Sequence, residues 1–120
     1  MATPAEFISV LRNSSPQTHI FHNQTTSYEE HKALEDYYDD ILDGIDSLTE
    51  TYSALYGNPT GYQAQQYKDW TSTADTLAYM QSLYQYAQAN RSIFKETFLQ
   101  NIIDEISQLM AQTIYRLKLS

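Results

Sequence analysis

Three histidines fall within thirteen residues, His19, His22 and His31, and the last of them stands in an acidic stretch. Imidazole nitrogen and carboxylate oxygen together suit iron, manganese or zinc. His31 and Glu35 are four residues apart, and so are Asp46 and Glu50. That spacing puts each pair on one face of a helix. At about 100° per residue the four positions share roughly a third of the helix circumference. They cannot hold one ion within one chain, because His31 and Asp46 lie about 22 Å apart along a helix axis. An antiparallel, twofold-related copy removes the difficulty. It sets His31 and Glu35 of one chain near Asp46 and Glu50 of the other and generates two equivalent sites per dimer. The spacing thus points to a metal site shared across a homo-oligomer that assembles through this helix. Cysteine is absent, which excludes disulfides and thiolate ligation. No nucleophile elbow or phosphate loop supports hydrolysis or phosphoryl transfer.

The helix that carries these pairs opens on Ser27-Tyr28-Glu29-Glu30, a capping box, and runs to about Tyr56. Leu34, Tyr38, Ile41, Ile45, Leu48, Tyr52 and Leu55 form its apolar stripe, with Gly44 inside the pattern. Asp36, Asp39, Asp40 and Asp43 read as its solvated face. Upstream, Pro4 and Glu6 suit a first turn, and Phe7, Ile8, Val10 and Leu11 an apolar face from about Thr3 to Arg12. Asn13-Ser14-Ser15-Pro16 then interrupts this segment or restarts it with Ser15 as N-cap, and the stretch Pro16 to Gln24 carries His19 and His22. One long helix kinked at Pro16 is the alternative.

Gly57-Asn58-Pro59 stops the long helix. The polar connection from Gly57 to Thr71 could span roughly 50 Å when extended. It is read either as a crossover along the bundle or as a loop holding a short helix. Tyr62, Tyr67 and Trp70 within it offer a stacking surface or simple packing. Ser72 and Asp75 cap a third helix with Leu77, Met80, Tyr84 and Ala87. After a break at Asn90-Arg91-Ser92, Phe98, Ile102, Ile106, Leu109, Thr113 and Leu117 mark a fourth, widened by Ile103, Met110 and Ile114. Asp104 and Glu105 on it read as surface. No strand pattern is present, so the fold expected is all-α, a four-helix bundle in one domain over residues 1–120.

A formal charge of −8 repels phosphate backbones, and the cations are scattered, so direct nucleic-acid binding is not expected. No leader pattern and no membrane-length apolar run is visible, and a cytoplasmic location follows as the expectation.

The order His19, His31, Glu35, Asp46, Glu50 resembles the Dps family of mini-ferritins. That family places two histidines, a carboxylate four residues after the second, then an aspartate and a glutamate on the same helix. Thr18-His19-Ile20-Phe21-His22 resembles the family's Thr-His-x-x-His segment, which makes His22 the first ligand where the first alignment makes it His19. Both stay open. The likeness covers roughly residues 16–57. It departs from the family in having no tryptophan after the first ligand, Glu35 where aspartate is usual, a shorter chain and no basic tail. It implies a ferritin-like bundle, an iron site across a dimer interface and, with iron, oxidation of Fe(II) by oxygen or peroxide. The segment from His19 to Gly57 also resembles small proteins of tailed phages, which implies the host cytoplasm as location. The rival expectations are a non-enzymatic phage protein that sequesters a small molecule or binds a host protein, and a structural helical oligomer.

Overall fold

Three of the four helices start on a hydroxyl that accepts a backbone N–H from the first turn. In the computed structural model, which describes residues 1–120, these caps are Thr3 (from Glu6, 3.2 Å), Ser27 (from Glu30, 3.2 Å) and Ser72 (from Asp75, 3.1 Å). The helices are α1 Pro4–Gln24, α2 Tyr28–Tyr56, α3 Thr73–Asn90 and α4 Thr97–Lys118, with a single 3₁₀ turn at Arg91–Ile93. The molecule is all-helical, as the periodicity required, and no helix is long and apolar enough to cross a membrane.

α1 does not restart at Pro16. It continues through the proline, which removes the backbone donor that would bond the Arg12 carbonyl. Ser15 is not a cap: its hydroxyl donates to the Tyr38 carbonyl at 2.7 Å and so ties α1 to α2. Ser14 donates to the Leu11 carbonyl at 2.6 Å. Its single proton is thereby used, so the buried Tyr37 hydroxyl, 2.8 Å away, is the donor between them.

The apolar stripes sit slightly off the expected positions. On α2 the buried set is Leu34, Tyr37, Ile41, Ile45 and Leu48, while Tyr38 is half-buried and Leu55 exposed. On α4 the set is Leu99, Ile103, Ile106, Met110, Thr113 and Leu117, with Phe98 exposed. In both helices an apolar residue next to the true stripe drew the pattern sideways. Nineteen buried residues from all four helices and Phe94 make one contiguous core. At the edge of the core α2 and α4 approach closely at half-buried Gly44, where a Cβ would lie 2.8 Å from Ile106 Cγ1.

The connection after α2 is a crossover with no helix in it. Gly57, at φ 83°, turns the chain out of α2. The chain then follows α1 from end to end. Gln63 N–H donates to Ser9 Oγ (2.9 Å), the Gln17 amide pairs twice with the Lys68 backbone (2.8 Å each), and Trp70 N–H donates to Gln24 Oε1 (2.6 Å). α3 therefore starts beside the first turn of α2, where Thr73 meets Glu30, and ends beside Ala2. α2 and α3 run in one direction. α1 and α4 run in the other, with Glu96 beside Tyr56 and Arg116 beside Asp36.

Candidate metal centre

A three-residue turn, Thr25–Ser27, separates α1 from α2. It brings the last turn of α1, with His22, against the first turn of α2, with His31. Each imidazole bonds the other's backbone: His22 Nδ1 lies 2.7 Å from the His31 carbonyl and His31 Nδ1 lies 2.8 Å from the His22 carbonyl. A carbonyl can only accept, so both Nδ1 atoms carry protons. In the neutral rings each Nε2 then keeps its lone pair, the state a metal ligand needs. The rings stack with centroids 3.6 Å apart.

Glu35, one turn beyond His31 on α2, completes the group. A ring nitrogen of His22, a ring nitrogen of His31 and a carboxylate oxygen of Glu35 lie within 4.8 Å of one another. His22 is buried, whereas His31 and Glu35 are half-buried, which leaves one side open to solvent. Lys32 holds Glu35 with a 2.7 Å ion pair. That hydrogen bond, and the lysine's charge, keep the Glu35 carboxyl below the usual carboxylate range. Bonds of about 2.0–2.2 Å to a metal hold donors within about 4.2 Å of each other. The donors of a bound ion therefore sit closer together than this 4.8 Å limit, and holding one requires Lys32 to release Glu35.

The other expected ligands lie elsewhere in the chain. His19 is exposed and stacks on Tyr38 at 4.2 Å between centroids, with its ring 5.8 Å from that of His22. Of the two alternatives for the first ligand, it is His22 that stands beside His31. Asp46 and Glu50 are exposed further along α2 and do not join the group within one chain, as their axial distance from His31 requires.

Glu30 is the residue that sequence reasoning placed wrongly. Its backbone N–H bonds the Ser27 cap, but its carboxylate does not return to that cap. It points inward, fully buried, and accepts from Thr25 Oγ1 (2.9 Å), Trp70 Nε1 (2.9 Å) and Thr73 Oγ1 (2.6 Å). One carboxylate thereby fastens the α1–α2 turn, the end of the crossover and the start of α3, one residue before His31. Trp70 is half-buried packing against the core, not a free stacking surface. The Lys32–Glu35 pair had a readable signal, an opposite charge three residues away on the same helix.

No curated protein and no solved structure matches the chain. A family model described as a family of unknown function (DUF5856) matches residues 22–117, a span that includes His22, His31 and Glu35. With most of its length matched, the chain belongs to the DUF5856 family.

Proposed function

We propose that this chain binds a divalent metal ion through His22, His31 and Glu35, with iron the first choice and manganese or zinc as the other metals that such donors suit. The observation that carries the reading is the reciprocal pair of Nδ1–carbonyl bonds. It orients two imidazoles, fixes their tautomers and places them beside an ionised carboxylate. Two nitrogens and one oxygen leave coordination positions free, as in sites where a metal reacts and is not merely structural.

The ferritin-like part of the proposal draws support from the crossover and from the parallel course of α2 and α3, the arrangement of a bundle with one long crossover connection. In this reading α2 pairs with its antiparallel copy, and the copy's Asp46 and Glu50 come to His31 and Glu35. The α2 flank concerned carries Glu35, Asp39, Asp43, Asp46 and Glu50 against Lys32 alone. Two such flanks repel each other until cations intervene, so pairing is metal-dependent. Iron, when bound, supplies electron exchange with oxygen or peroxide. The chain's own part is to hold the ion with two neutral imidazoles, offset its charge with Glu35 and exclude water on the side of buried His22. The competing reading is a non-enzymatic sequestering protein, and metal binding without turnover would favour it.

The test is calorimetric titration of metal-free protein with Zn(II), followed by aerobic Fe(II) titration read by ferric absorbance. Saturable binding that His22→Ala and His31→Ala each weaken by about tenfold or more supports the site. Fe(II) oxidation no faster than in buffer removes the oxidase part and leaves the binding part standing.

A further inference from the structure

The crossover is pinned to α1 at Gln63–Ser9 and again at Lys68–Gln17, and between the two pins it bows off the helix. Beneath the arch lies a cavity of about 490 Å³ lined by Arg12, Asn13, Tyr62, Gln63, Gln65 and Tyr67 among others. Its size is that of a small-molecule pocket. The chain as a whole carries −8, yet no carboxylate lines this cavity. Arg12 is its only charged group and takes part in none of the molecule's three ion pairs. The two tyrosines are about half exposed, Tyr62 at 47% and Tyr67 at 53%, although neither is needed by the core.

We infer that this arch is a binding site for a small aromatic carboxylate. The Arg12 guanidinium presents a planar fork that matches a carboxylate bidentately. Tyr62 and Tyr67 offer faces and edges to a planar ring. The side-chain amides of Asn13, Gln63 and Gln65 can donate to and accept from a polar ring substituent. One guanidinium offsets one negative charge, so a monoanion suits the pocket better than a phosphate monoester, which carries up to about two charges at neutral pH. The protein's overall negative charge works against the second charge as well.

The experiment is calorimetric titration of the full chain with 4-hydroxybenzoate, beside acetate, which lacks the ring, and 4-hydroxybenzamide, which lacks the charge. Arg12→Gln and Tyr67→Leu are made at exposed positions, and circular dichroism checks that both variants fold. Saturable binding of 4-hydroxybenzoate, at least about tenfold tighter than either control and weakened about tenfold by Arg12→Gln, is expected. Tyr67→Leu weakens it several-fold. Absence of saturable binding at millimolar ligand overturns the inference. So does acetate or 4-hydroxybenzamide binding as well as 4-hydroxybenzoate, or a wild-type affinity in folded Arg12→Gln.

Discussion

His22 and His31 hold each other's backbone, and this has consequences that single substitutions can read. His22→Ala and His31→Ala each remove one donor and also free the backbone carbonyl of the other histidine, which the deleted ring held. Each should lower metal affinity by about tenfold or more, and His19→Ala should leave it within about twofold. In the proposed site Lys32 competes with the ion for Glu35. Lys32→Gln removes both the competing hydrogen bond and a nearby positive charge, so Zn(II) affinity should rise several-fold in the same calorimetric assay. Which histidine stands beside His31 was not legible in the sequence. His19 and His22 both lie in the last two turns of α1, and only the geometry of the Thr25–Ser27 turn and the stacking of His19 on Tyr38 separate them. The His31–Glu35 pair was legible because i, i+4 spacing on a capped helix fixes a shared face. Tyr37 makes a further prediction at this scale. Burial raises its hydroxyl well above the ordinary tyrosine range. A raised folded-state pKa means that its contribution to stability is complete below about pH 10, the unfolded value, and is lost as pH climbs above it. In an alkaline titration followed by tyrosinate absorbance, its ionisation should coincide with loss of helical circular dichroism, and Tyr37→Phe should move that transition to higher pH.

The helices themselves were mostly readable, since hydroxyl caps and 3.6-residue patterns are local signals. Two features at this scale were not. Pro16 reads locally as a boundary, yet α1 runs through it because Ser15 and its neighbours are held against α2. The course of residues 57–72 was undecided because it is set by side chains on another element, Ser9, Gln17 and Gln24 of α1, and by buried Glu30. Glu30→Ala should therefore loosen the crossover. It leaves the Trp70 indole N–H and two threonine hydroxyls without their acceptor and should cost about 3 kcal/mol in urea unfolding. Trp70 is the chain's only tryptophan, and its fluorescence should shift to the red in the native variant. Gly44→Ala tests the α2–α4 contact. A methyl pressed against buried Ile106 should outweigh the gain in helix propensity and leave a net loss of about 1 kcal/mol.

At the scale of the whole molecule, one core is enclosed by four helices, of which α2 alone is strongly acidic, with nine carboxylates against Lys32, and the proposed metal donors sit at one corner where α1 turns into α2. The charge was plain from composition. The enclosure of Glu30 behind the donors was not, since it depends on three segments far apart in sequence. Repulsion between α2 flanks implies that the chain sediments as a monomer without metal and associates when a divalent ion is added. Asp46→Asn/Glu50→Gln should leave the isolated chain folded and its corner site intact while abolishing that association, as analytical ultracentrifugation can show. The most direct test of the central claim is Zn(II) calorimetry on metal-free protein, wild type beside the His22→Ala/His31→Ala double variant. The account predicts saturable binding near one ion per chain that the double variant loses. No saturable binding, or the same binding in the folded double variant, would contradict it.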